Sequence, residues 1–312
     1  MVPRPSALIG ALSVALAVAL GACTGAPSEN PSATNDSAPP SDSASPSESA
    51  PPADSVYVSL GDSYATGYRP PAAGTSTGAD GFAYLVAEQS DLRLINVACS
   101  GATSAQLLGG PACAPGNVAP GAPDPAGRTQ LDAAVQALRE HQGRVGLVTV
   151  VIGGNDLAPC ARAADALGCA SRAVANVRAG LAATLPALRE AAGDAPIVGL
   201  TYPDVFLGAW VSPAFPNGQD LARLSVPLFR DFFNAALKTE YEKVGATFVD
   251  VTASTGGYGP FTEITQDPTY GSIPTSVAKV CALTYFCGHT DVHPTPDGHK
   301  AIASAVLTAT GR

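Results

Sequence analysis

A doubly wound α/β fold on a parallel sheet is what this sequence predicts, and three observations predict it. Five short runs rich in β-branched residues alternate with helix-like stretches from residue 55 to residue 312. Each run ends in Gly, Ser, Asn, Pro or Asp, residues that turn a chain at a strand end. The third run is almost continuously apolar, which suits a strand covered on both faces. In chain order, the expected strands are 55–60 (SVYVSL), 93–98 (RLINVA), 145–152 (VGLVTVVI), 196–201 (PIVGLT) and 246–251 (ATFVDV). The expected helices are 82–89, 130–141, 171–192, 220–244 and 297–308. Ligands of such a sheet gather beyond the carboxyl ends of the strands, so functional residues are expected directly after them.

Residues 1–54 read differently. Arg4 precedes an apolar run over 7–20 that is interrupted only by Gly10 and Ser13, followed by Leu20-Gly21-Ala22-Cys23. This is the pattern of an export signal over 1–22, and the run is shorter than the roughly 20 residues that span a bilayer. The tetrapeptide resembles the bacterial lipobox, which implies that Cys23 receives a lipid and becomes the first mature residue. The protein is then held on the outer face of the cytoplasmic membrane, or is released, rather than spanning it. From residue 24 to 54 the chain is Ser-, Pro- and Ala-rich, with five acidic residues and no Lys or Arg, as expected of a disordered tether with little to bury. The remainder, 55–312, is one domain of a size that buries roughly three quarters of its unfolded surface.

The composition excludes some partners. The 312 residues are 46% hydrophobic and 14% charged, with 17 Lys plus Arg against 26 Asp plus Glu and a net charge of −9. Such a chain has no basic surplus for a phosphate-binding face, so nucleic acid is not an expected partner. Beyond Cys23 there are six cysteines, an even count that argues for disulfides in an exported chain. Fifteen connectivities are open to them. The one closing the smallest loops pairs Cys99 with Cys113, Cys160 with Cys169 and Cys281 with Cys287.

The residues that follow the strands carry the chemistry. After the first comes Gly61-Asp62-Ser63-Tyr64, where Ser63 can present both a nucleophilic hydroxyl and its backbone N–H to a substrate carbonyl. After the second comes Cys99-Ser100-Gly101-Ala102-Thr103, where Gly101 lets the backbone approach a ligand and aim a donor at it. After the third comes Gly153-Gly154-Asn155-Asp156, in which Asn155 can supply a side-chain amide or, alternatively, cap a helix. Asp291-Val292-His293-Pro294 precedes the last helix, and a His there can act as general base towards a Ser hydroxyl.

Taken together, these four blocks resemble the SGNH or GDSL hydrolase family of esterases and lipases over essentially all of 55–312. Asn96-Val97-Ala98-Cys99-Ser100-Gly101, the run from Tyr202 to Trp210 and the three local Cys pairs look like its secreted actinobacterial members. The resemblance implies a three-layer α/β/α flavodoxin-like sandwich with a five-stranded parallel sheet in the order 2-1-3-4-5. It also implies that Ser63 is the nucleophile and His293 its base. The Ser63 N–H, the Gly101 N–H and the Asn155 side chain would form the oxyanion hole. The family's acidic residue usually stands three positions before the His, where this chain has Thr290. Asp291 is expected to take its place, with a backbone carbonyl as the competing orienter of the imidazole.

The resulting expectation is a serine esterase or lipase acting on acyl lipids or small esters, as a monomer and without cofactor or metal. Within the same family, a carbohydrate O-acetylesterase or an acyltransferase would use the same residues; outside it, the alternative is a non-catalytic binding lipoprotein. Two decoys are set aside. Gly74-Thr75-Ser76-Thr77-Gly78 matches a nucleophile elbow but follows no strand. His289, Asp291, His293 and His299 carry zinc-ligand chemistry, but Pro294 and Pro296 and the last helix separate them. The aromatic run 206–210 and Phe215 either line an acyl pocket or fill the core.

Overall fold

The computed structural model describes residues 54–71, 78, 80–110 and 113–312. The export signal, Cys23, the tether and most of the 74–78 decoy lie outside these residues. Five strands, β1 (Val56–Gly61), β2 (Arg93–Asn96), β3 (Val145–Val151), β4 (Ile197–Leu200) and β5 (Thr247–Val249), form one parallel sheet in the order β2-β1-β3-β4-β5. This is the expected order. Every residue of β1 and β4, and all but the first of β3, is buried, because helices cover both faces. The chain reverses its winding between β1 and β3, which opens a crevice at the carboxyl ends of these strands.

The helices are α1 (Ser63–Thr66), α2 (Phe82–Gln89), α3 (Gln130–Glu140), α4 (Gly154–Leu157), α5 (Ala166–Ala192), α6 (Gly218–Pro227), α7 (Asn234–Glu242), α8 (Val251–Ser254), α9 (Thr275–Leu283), α10 (Phe286–His289) and α11 (Pro296–Ala309). Helix α3 packs on α5 and α5 on α7, whereas α2 and α8 pack on α11. None of the described helices is long and apolar enough to cross a membrane.

Three expectations need correction. Helix α5 starts at Ala166 rather than 171, because the Asp165 carboxylate caps it by accepting the Gly168 N–H at 2.9 Å. The single helix expected over 220–244 is interrupted by a π-turn at Leu228–Phe233. Pro227 immediately precedes that turn and has no N–H to continue the α-helical ladder. Between β5 and α11 the chain also inserts an antiparallel hairpin, β6 (Ile264–Asp267) with β7 (Gly271–Pro274), and the helices α9 and α10. β6, β7 and α10 are four residues each, too short for a hydrophobic period to mark them. The sulfur pairs are Cys99–Cys113, Cys160–Cys169 and Cys281–Cys287.

A buried carboxylate makes the stability of this core pH-dependent. Asp204 is 1% exposed and accepts the Ser225 hydroxyl at 2.7 Å and the Phe206 N–H at 3.1 Å. Burial outweighs those bonds and pushes its carboxyl up to about 7. With the folded value above the unfolded one, its stabilising contribution is complete below about pH 4 and is lost as pH rises through 7. Asp204→Asn is therefore expected to gain about 3 kcal/mol on wild type between pH 5 and pH 8. Melting curves of both proteins across that range measure the gain; parallel curves would mean that Asp204 is already ionised at pH 5.

Candidate active site

The turn that carries Ser63 is set where β1 ends. Gly61 has φ +140°, and a Cβ there would lie 2.1 Å from the Val151 carbonyl oxygen, so no side chain is tolerated. Gln130, the first residue of α3, clamps this peptide on both sides. Its Oε1 accepts the Gly61 N–H and its Nε2 donates to the Gly61 carbonyl, each at 3.0 Å. Asp62 then caps α1, accepting the Tyr64 N–H at 3.0 Å and the Tyr202 hydroxyl at 2.6 Å. Burial pushes the Asp62 carboxyl up to about 6. Ser63, the first residue of α1, is thereby held 7% exposed at the crevice.

The loops after β2 and β3 are tied to this turn and to each other. The Cys99 N–H donates to the Gly61 carbonyl at 3.0 Å, and the Ser100 and Thr66 hydroxyls bond at 2.8 Å. Gly101 follows with φ +83°, and apart from its two chain neighbours no described residue lies within 4 Å of where its Cβ would be. Asn155 lies in the first turn of α4, whose N-cap is Gly153, so it is not the cap. Its Nδ2 donates to the Ala102 carbonyl at 2.9 Å, which leaves the second amide hydrogen free. Asp156 accepts the Ser104 N–H at 2.9 Å and its hydroxyl at 2.7 Å. Among the described residues, neither the Ser63 nor the Gly101 main-chain N–H has a partner within the protein.

The histidine comes from the loop before α11. The Tyr285 N–H donates to the His293 carbonyl at 3.0 Å, the Tyr64 hydroxyl donates to that of Val292, and the Tyr68 ring lies 4.5 Å from the imidazole. His293 Nε2 is 2.8 Å from Ser63 Oγ, and Nδ1 is 2.7 Å from Asp291 Oδ1. The same Asp291 oxygen accepts the His293 N–H at 2.9 Å. Thr290 closes α10 in the left-handed region, φ +55°, and this turn brings the next residue, Asp291, to the imidazole. Burial raises the Asp291 carboxyl, but the two bonds from His293, with electrostatic attraction to His293 and His289, together outweigh it and hold it below the ordinary carboxylate range. His299 is buried in α11 and accepts the Phe82 N–H at 3.3 Å; burial pushes it down to about 3. No group of three or more possible metal ligands occurs among the described residues.

A small apolar cavity of about 60 Å³ opens beside Ser63 and Asn155, lined by Leu157, Tyr202, Phe206, Phe229 and Phe233. Of the aromatic side chains singled out in the sequence, Phe206 therefore faces this cavity. Trp210 does not: it stacks on Phe261 at 5.1 Å with Arg223 over its ring. Phe215 stacks on Phe286 at 5.6 Å.

Against known proteins, residues 59–301 match the model of the GDSL-like lipase/acylhydrolase family. The chain belongs to that family. Phospholipase A1 from Streptomyces albidoflavus NA297 shares its fold, with a TM-score of 0.51 and 18% identity over 82% of this chain and all of that one. An extracellular lipase from Streptomyces rimosus has a TM-score of 0.49 and 21% identity, covering 82% of this chain and 99% of its own. No curated protein matches the sequence. Family membership brings ester-acting hydrolase chemistry to a crevice that already holds a Ser, a His and an Asp in hydrogen-bonded series. In this family member, sequence reading passed over Gln130 and Tyr202. They bond to the turn that carries Ser63 from 69 and 140 residues away, and no local pattern announces such a contact.

Proposed function

We propose that this protein is a serine ester hydrolase in which Ser63 attacks the ester carbonyl. The observation that carries the reading is the series Ser63 Oγ, His293 Nε2 and Nδ1, Asp291 Oδ1, with contacts of 2.8 and 2.7 Å, together with the Ser63 and Gly101 main-chain N–H groups, which have no partner among the described residues. His293 takes the Ser63 proton as the Oγ–carbonyl bond forms, then gives it to the leaving alcohol as the ester bond breaks. Asp291 fixes the ring with a proton on Nδ1 and balances the imidazolium. The developing oxyanion is received by the N–H groups of Ser63 and Gly101 and the free amide hydrogen of Asn155. Water then repeats the sequence on the acyl-enzyme, releasing the acid and restoring Ser63. The three disulfides favour work outside the cytoplasm, where the export signal and a lipid on Cys23 would place the domain.

The test is hydrolysis of p-nitrophenyl esters from acetate to palmitate by the protein and its Ser63→Ala variant. Activity in the wild type alone supports the reading; equal activity in both overturns it. The small apolar cavity beside Ser63 favours short acyl groups. Phe206→Ala is expected to raise kcat/KM for butyrate over acetate by roughly tenfold for each methylene newly accommodated. Trp210→Ala should leave that ratio unchanged. An unaltered ratio in the Phe206 variant would make Phe206 a packing residue only.

A further inference from the structure

We infer that the Tyr202 hydroxyl is a positioning group for catalysis, a strut that fixes the turn carrying Ser63 against the loop carrying Asn155. The inference rests on the serine hydrolase reading and adds to it a residue that acts through its neighbours. Tyr202 stands two residues beyond the end of β4, so a third loop at the carboxyl edge of the sheet reaches the other two. Its hydroxyl donates to Asp62 Oδ2 at 2.6 Å, and Asp62 immediately precedes Ser63. The Gly154 main-chain N–H interacts with the same phenolic oxygen, and Gly154 immediately precedes Asn155. One oxygen atom thus links the residues that lead into two of the three oxyanion donors.

A strut must itself be held. Tyr202 is buried, and its carbonyl accepts the Thr252 hydroxyl at 2.7 Å. Its ring meets that of Tyr64 edge-on, with centroids 4.8 Å apart, and lies 6.4 Å from that of Phe233. Gly154 makes the close approach possible. A Cβ at that position would lie 2.9 Å from Tyr202 Cζ and 3.3 Å from its hydroxyl oxygen, so a side chain at 154 displaces the ring. Oxyanion donors act by being in place before charge develops, and a misplacement of about 1 Å costs on the order of 10² in rate. A single bond that fixes one donor-bearing loop against another therefore bears on turnover rather than on substrate binding.

The same bond also sets the charge beside the imidazole. The groups facing the Asp62 carboxyl are His293, Asp156 and the phenols of Tyr64, Tyr202 and Tyr241. Burial holds all three phenols well above their ordinary range, so Tyr202 stays neutral and donates to the carboxylate. Asp156 opposes ionisation of Asp62, whereas His293 favours it. That attraction is mutual: an ionised Asp62 stabilises the imidazolium formed when Ser63 gives up its proton. Burial pushes the Asp62 carboxyl up, and the Tyr202 bond is the largest influence that pulls it back towards the value of about 6. Without the hydroxyl, Asp62 would take up its proton at higher pH, and the support for His293 would be lost there.

Three variants assayed on p-nitrophenyl acetate from about pH 5 to pH 9 test this. Tyr202→Phe keeps the ring and removes only the hydroxyl. It is expected to lower kcat by about 10–100-fold, with KM within about twofold of wild type. It should also move the acid limb of kcat/KM to higher pH by about one unit, the effect of losing one hydrogen bond to a buried carboxylate. Gly154→Ala keeps the hydroxyl but displaces it; the limb should move in the same direction, and this variant carries the test if the phenylalanine variant does not fold. Tyr241→Phe is the control. Tyr241 is buried and donates its hydroxyl to the Val150 carbonyl at 3.1 Å, so its loss should lower the melting temperature and leave the limb where it is. Turnover within about twofold of wild type in Tyr202→Phe, an unmoved limb in both Tyr202→Phe and Gly154→Ala, or an equal shift in Tyr241→Phe overturns the strut and leaves the esterase reading intact. A wild type no more active than Ser63→Ala overturns that reading and the strut together.

Discussion

Replacing Ser63 with alanine is expected to lower kcat on p-nitrophenyl acetate by about 10⁴–10⁶, with little change in KM. In the proposed mechanism this hydroxyl forms the bond to the carbonyl carbon, and among the described residues it is hydrogen-bonded to His293 Nε2. Its removal should therefore leave the fold undisturbed. The turn that carries it is held by other groups: the Gln130 clamp on Gly61, the Asp62 cap and the Tyr202 hydroxyl on Asp62. The melting temperature should consequently stay near that of wild type while turnover collapses. Residual catalysis would come from the oxyanion donors, which the substitution leaves in place, acting on a water that replaces the hydroxyl. A variant that retained more than a tenth of wild-type turnover would show that Ser63 is not the nucleophile.

The second large effect concerns Asp291. Asp291→Asn is expected to lower kcat by about 10³–10⁴. The argument is one of charge and tautomer. A single carboxylate oxygen accepts both the ring Nδ1–H and the main-chain N–H of His293, and the ion is held below the usual carboxylate range by those bonds. An asparagine oxygen in the same place can accept the same bonds but carries no charge to balance the imidazolium formed when Ser63 loses its proton. If the amide turns over, its NH₂ meets Nδ1 and forces the ring proton onto Nε2, the nitrogen that must accept from Ser63. Either outcome slows the chemical step, so kcat should fall while KM stays close to wild type. Activity within threefold of wild type would leave a Ser-His dyad oriented by a backbone carbonyl.

The site differed in legibility from one residue to the next. Ser63, Gly101, Asn155 and His293 are readable because each stands in a short block at a strand end or before the last helix, where chain order already says which edge of the sheet it joins. Asp291 is readable only in part. Its place two residues before His293, rather than three, is compensated by the left-handed turn at Thr290, a backbone angle that no residue pattern in this loop reveals. Gln130 and Tyr202 were not readable, although both support the turn that carries Ser63.

What the sequence determined by itself is the sheet and the order of its chemistry. Alternating β-branched and helix-like segments, each closed by a turn residue, dictate strands and crossovers locally, and a parallel sheet then needs one layer of helices on each face. Tertiary structure alone decided which groups meet. Hydrogen bonds such as those from Gln130 to Gly61 and from Tyr202 to Asp62 join residues whose separation in the chain carries no periodic signal. It also decided the spaces. The cavity among Phe206, Phe229 and Phe233 depends on the π-turn after Pro227, which carries two of the three rings. A cavity is what packing leaves unfilled, so it belongs to the relation between elements and not to any one of them.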